Sequence, residues 1–212
     1  MIRTRVKEKL TSENVVTRIL TLTILFLVVF FSVTVLSYCC LPEGFLLRRT
    51  KLTDFETSEN IVLCALQIFM YNMISVVVII AGSLIAQKKE GEKSYKTYGC
   101  VGFFVLISLN AITLGTWSFT VNTNVVPLLG RIFRTFDIVH NAGLLEMYGQ
   151  LLITAAFATK YLLLAEGKKA TTRKIRDIKM KKSEVFVLIC GFALMLVGAF
   201  IESNAIISNA TV

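Results

Sequence analysis

Glu146 and Gln150 are the residues in this chain best placed to do chemistry. They lie inside a long apolar run and are four apart, so on a helix they share one face. A carboxylate at the centre of a bilayer costs about 2.5–3.5 kcal/mol on insertion scales. Glu146 must therefore sit near an interface, pair with another group or turn into the protein interior. Glu202, near the end of the last apolar run, falls at a similar depth, and Asn72 and Asn110 lie in neighbouring runs. Together these five residues read as a polar intramembrane cluster lining a gate or a substrate. The bland alternative for the asparagines is hydrogen bonding between helices. For Glu146 it is capping or pairing with Arg131, Arg134 or an outward helix end. The single histidine, His140, stands with Asp137, Arg131 and Arg134 just ahead of the Glu146 run and reads as the outer mouth. An ordinary imidazole there would titrate near pH ~6.5.

Enzyme chemistry finds little support. No phosphate-binding glycine loop, zinc spacing or nucleophile-elbow serine is present. The five cysteines, Cys39, Cys40, Cys64, Cys100 and Cys190, show no metal spacing. No metal, cofactor or catalytic residue is expected, and an intramembrane hydrolase built on His140 would lack its serine.

The elements that hold the cluster are membrane spans. The chain has 212 residues, of which 55% are hydrophobic, with a mean hydropathy of +0.69. Apolar runs of about 18 or more residues indicate transmembrane helices, and their continuity excludes the alternating pattern of a barrel strand. The expected fold is all-α, a polytopic helix bundle forming one membrane domain over residues 1–212. Its spans run from about Val16 to Tyr38, Ile61 to Ala86, Tyr98 to Val121, Ala142 to Ala165 and Glu184 to Ile207. The segment Asn122–Val139 reads as an outer interfacial or re-entrant helix. Gly82, Gly115 and Gly143 are expected to allow close helix approach. Lys160 is close enough to a span end to snorkel. Residues 1–16 read either as an amphipathic helix on the inner leaflet or as a solvated tail.

The net charge is +9. The basic residues lie between spans, which fits positive-inside loops better than a nucleic-acid partner. The N-terminus, the Gln87–Thr97 loop with Lys88, Lys89 and Lys93, and the Glu166–Ser183 loop with Arg173, Lys174 and Arg176 fall on one side. The expectation is a multi-pass cell-membrane protein with its N-terminus cytoplasmic and its C-terminus outside. Polar stretches of about 20 residues cannot bury a core, so an energising domain is expected on another chain. The basic loops would dock it, or contact anionic lipid. Five spans are few for a conduit, so a homo- or hetero-oligomer is expected.

From about Met70 onward the chain resembles the stage II sporulation protein M family of integral membrane proteins. M-Y-N-M-I-S carries Asn72 at the position of that family's helix asparagine. N-A-I-T-L-G is similar to its N-G-x-x-x-G through Asn110 and Gly115, with Ala111 in place of the first glycine. N-A-G-L-L-E is similar to P-H-G-x-x-E through Gly143 and Glu146, and A-F-I-E-S carries Glu202. Asn141 and Ala142 stand where the family has Pro and His, so no role follows for that His here. The resemblance implies a helical membrane subunit without a catalytic domain. It would be a permease subunit paired with an ABC-type ATPase, serving bacteriocin or peptide export or self-protection. Alternatively, it would be a non-catalytic membrane scaffold of a wall-remodelling or sporulation complex.

Overall fold

The computed structural model describes residues 2–47, 58–92, 94–119, 125–137, 143–167 and 169–210. His140, Lys93, Asn141, Ala142 and parts of the 122–139 segment lie outside the described residues.

Short helix α1 (Ile2–Leu10) precedes the long helix α2 (Val15–Cys40). Asn14 caps α2, its side chain accepting from the Val16 amide at 2.9 Å. Helix α3 (Ile61–Ser83) begins in the same way, with Asn60 accepting from Val62 and Leu63. Such caps answer amides that a helix start leaves bare. Helices α4 (Tyr98–Gly115), α5 (Leu128–Thr135), α6 (Gly143–Phe157) and α7 (Lys182–Ala210) follow among the described residues.

Among the described residues, four helices, α2, α3, α4 and α7, are long and apolar enough to cross a membrane. The expected fourth span is shorter than the sequence implied. α6 has 15 residues, a length of about 22 Å at ~1.5 Å per residue, against a hydrocarbon core of about 30 Å. The helix stops at Phe157, and Leu163–Glu166 continues as strand β3. The second expected span likewise ends at Ser83, and Ile85–Lys88 forms strand β1. The third ends at Gly115 rather than Val121.

The all-α expectation is therefore corrected in one place. Strands β2 (Tyr95–Thr97) and β4 (Lys169–Thr172) join β1 and β3 in a four-stranded sheet of order β2-β1-β3-β4. β1 and β3 are parallel, with Ile85 opposite Leu163 and Lys88 opposite Glu166. Each outer strand is antiparallel to its hairpin partner. Gly91 and Gly167 take left-handed backbone conformations in the two hairpin turns, where a Cβ would be strained. The two basic loops of the sequence are thus one sheet, and α1 packs beside it through β2.

α6 is the centre of the bundle. It packs on α7 most extensively and also on α3, α2 and α4. From Glu146 to Ala156 nearly every side chain is buried. The core gathers Leu22, Phe26 and Phe30 of α2, Phe103 and Ile107 of α4, and Leu151 and Ala155 of α6. Around it, α2 exposes Val16, Leu20, Ile24, Val28 and Leu36, and α3 exposes Met70, Ile74, Val77 and Val78. That outward apolar belt is what lipid contact requires. Three crossings depend on glycine. A Cβ on Gly115 would lie 2.1 Å from Ser37 Oγ, one on Gly99 1.9 Å from Ser83 Oγ, and one on Gly149 2.5 Å from Met195 Cγ. A Cβ on Gly82 would lie 2.9 Å from the Gly99 backbone nitrogen. Gly143 opens α6 and is half-buried.

Candidate functional site

Glu146 sits in the first turn of α6, only 9% exposed. Asn72 reaches it from α3 as its hydrogen-bonding neighbour, and Glu202 approaches from α7 closely enough for the two carboxylates to interact. Gln150 lies one turn further along α6 and is 4% exposed. Glu146 Oε1 and Gln150 Oε1 meet no hydrogen-bond donor among the described residues. Ser203, next to Glu202, is fully buried and donates its hydroxyl to the Ile61 carbonyl at 2.8 Å. That bond fixes the Glu202 turn of α7 against the start of α3. Gly191 and Gly149 hold α6 and α7 together, with the Gly191 carbonyl 2.7 Å from where a Gly149 Cβ would stand. Four of the five residues expected to cluster are therefore gathered from three helices. Asn110 is not among them. It is exposed on α4, and its amide donates back to the Leu106 carbonyl at 3.2 Å.

Two of the residues expected at the outer mouth, Arg131 and Arg134, sit on α5, where Arg131 forms a latch. Arg131 of α5 is 1% exposed. It donates to the Gly115 carbonyl, to the Val126 carbonyl at 2.7 Å and to Glu43 Oε1 at 2.8 Å. Its guanidinium lies 4.8 Å from the Tyr38 ring and 5.2 Å from the Trp117 ring, with Arg134 5.5 Å from Trp117. A cation at the end of α4 answers a carbonyl the helix cannot use. Arg131 thus pairs with Glu43, not with Glu146. Asp137 is exposed just beyond α5.

At the opposite end of the bundle lies a buried ion cluster that the sequence reading missed. Arg18 is fully buried. It donates to Glu184 Oε1 at 2.6 Å and to Thr159 Oγ1 at 2.8 Å. Lys160 does not snorkel: it bonds Glu184 Oε2 at 2.7 Å and the Lys179 carbonyl at 3.1 Å. The Lys181 amide also donates to Glu184 Oε2, at 2.8 Å. One carboxylate thus ties together α2, the end of α6 and the start of α7. The signal in the sequence was Arg18, the one charge within the first apolar run.

Of the expected docking residues that the structure describes, Lys88 lies in β1, Lys89 just beyond it, and Arg173, Lys174 and Arg176 follow β4. Lys88 pairs with Glu166 across β1–β3 at 2.9 Å. Lys89, Lys174 and Arg176 are exposed. Arg173 donates to the Tyr161 hydroxyl and lies over its ring at 4.0 Å. Tyr95 packs edge-on against Tyr161 at 4.8 Å. Burial, reinforced by Tyr161, pushes the Tyr95 phenol up to about 12, so it stays neutral. Beside the sheet, the exposed Glu13 accepts from Lys181 Nζ at 2.6 Å. That hydrogen bond and the ammonium charge hold its carboxyl below the usual range.

No family model matches the chain, and no curated protein or solved structure matches it either.

Proposed function

We propose that this chain is the membrane-spanning, permease-type subunit of a multi-component transporter. It pairs with a cytoplasmic ABC-type ATPase and serves peptide or bacteriocin export or self-protection. The observation that carries the reading is the shared sheet. β1 leaves the end of α3 and β3 leaves the end of α6, and the two strands pair directly. A partner pressing on the sheet moves α3 and α6 as one. Those helices carry Asn72, Glu146 and Gln150. The exposed Lys89, Lys174 and Arg176 give the platform a charge suited to an acidic partner surface. The resemblance to the stage II sporulation protein M family, through Asn72, Glu146 and Glu202, supports the same reading.

A second reading, a membrane scaffold for wall-remodelling enzymes, draws on the opposite end. There α5 is locked by Arg131 and exposes Leu129 and Phe133. Mild-detergent purification of the tagged chain, with mass spectrometry of what accompanies it, separates the two. A stoichiometric ATP-binding subunit is expected, lost when Lys89, Lys174 and Arg176 are replaced together by Gln. Wall hydrolases without an ATPase would overturn the transport reading in favour of the scaffold.

A further inference from the structure

The start of α6 leaves two acceptors unanswered. Glu146 Oε1 and Gln150 Oε1 are buried, and neither finds a donor among the described residues. A buried acceptor without a partner is costly, and a charged one more so. Helical spacing puts both on one face of α6, one turn apart. A second carboxylate, Glu202, comes from α7, and the Asn72 amide comes from α3.

Among the described residues, the charges nearby do not answer them. α2 has one charged residue, Arg18, which is bound to Glu184 at the far end of the bundle. α4 has no Asp, Glu, Lys or Arg. On α7 the other acid, Glu184, is held by Arg18 and Lys160. On α3 the titratable neighbour is Tyr71, beside Asn72. On α5 Arg131 is bound to Glu43, and Arg134 lies over Trp117. Two acids in an apolar bundle cannot both hold a negative charge without a positive one between them.

The donor set is oxygen from two carboxylates and two amides. No group of three or more His, Cys, Asp or Glu occurs among the described residues. A calcium ion takes about 6–8 oxygen ligands, more than this set offers, and of two carboxylates sharing a site one stays protonated, which leaves a single negative charge for a monovalent cation.

We propose that Glu146, Gln150 and Glu202 bind one monovalent cation, a proton or an alkali metal ion such as Na+, with Asn72 orienting Glu146. Binding bridges α6 and α7 at the point where α3 joins them. The occupied state is therefore more tightly packed than the empty one. In the transport reading this charge is what couples the bundle to its cargo, but the binding itself does not depend on that reading.

The test uses the purified full chain in mild detergent. Thermal unfolding is followed in NaCl against choline chloride at one ionic strength and pH 8, and in choline chloride from pH 8 to 5.5. An alkali-ion site raises Tm in NaCl by about 5–10 °C at a hundredfold excess over Kd. A proton site leaves Tm unmoved by Na+ and raises it as pH falls, because the folded chain then binds the extra proton. Either response must shrink in Glu202→Gln and in Gln150→Leu, two variants that retain Glu146 in case Glu146→Gln does not fold. A wild-type chain answering neither Na+ nor pH overturns the proposal, as does a response of equal size in both variants. A chain that binds the cation but brings down no ATPase keeps this inference and loses the docking reading. The reverse result loses this one alone.

Discussion

Glu184 is the residue on which most of the buried charge depends. It accepts from Arg18, Lys160 and the Lys181 amide. Breaking a buried ion pair from one side costs about 3–5 kcal/mol, because a charge is left without its counter-ion. Glu184→Gln strands two cations, whereas Arg18→Met leaves Glu184 with Lys160. Glu184→Gln is therefore expected to be the more damaging of the two. The double variant should cost less than the sum, as read from unfolding midpoints in detergent; strict additivity would deny the pairing. Glu13 behaves differently because it is exposed. Its folded carboxyl titrates below its unfolded one. The stability it adds is thus present above the unfolded value of about 4.3 and is lost as pH falls through the folded value. Solvent screening keeps this small, about 0.2–1 kcal/mol. The Tm gap between the wild type and Glu13→Gln should hold steady from pH 8 to 5 and close in stronger acid. At this scale the sequence was readable where spacing fixes geometry, as with Glu146 and Gln150 on one face of α6. It was not readable where the rotation of a whole helix decides. α4 is apolar on every side, so nothing local told whether Asn110 points in or out.

The elements differ from the sequence reading mainly where helix becomes strand. Leu162-Leu163-Leu164-Ala165 is apolar enough to extend a span, yet Leu163–Glu166 pairs with Ile85–Lys88. A short apolar run does not distinguish a helix end from a strand, and a partner on a distant loop leaves no mark in the local pattern. Thr159, Lys160 and Gly167 were the available punctuation: a polar pair at the helix end and a glycine in the β3–β4 turn. The close packing of α6 on α7 was also hidden, since Gly149 and Gly191 belong to helices that would accept glycine anywhere. Their role is now testable. Gly149→Ala places a methyl 2.5 Å from Met195 Cγ and 2.7 Å from the Gly191 carbonyl. It should therefore destabilise the chain by about 1–3 kcal/mol. Gly102→Ala meets only Val78 Cγ1 at 3.8 Å and should leave Tm nearly unchanged. Equal effects at the two sites would mean that α6 and α7 do not approach as closely as described.

The whole molecule is polarised. One end holds α1, the sheet and the Arg18–Glu184–Lys160 cluster, and the other holds α5 and its Arg131 latch. The excess of Lys and Arg in two loops foretold this division, because charge sorting across a membrane is written directly in composition. That both loops form one surface was not foretold, since strand pairing between them depends on the assembled bundle. The transport account requires that surface to face the cytoplasm, where an ATPase can reach it. Thr171 lies exposed on β4, and Cys39 and Cys40 lie exposed at the far end of α2. With Cys39 and Cys40 changed to Ser, Thr171→Cys can be probed in intact cells with a membrane-impermeant thiol reagent. The account predicts no labelling until the membrane is permeabilised, then full labelling. Labelling of Thr171→Cys in intact cells would put the sheet outside and contradict the docking of any cytoplasmic ATPase on it.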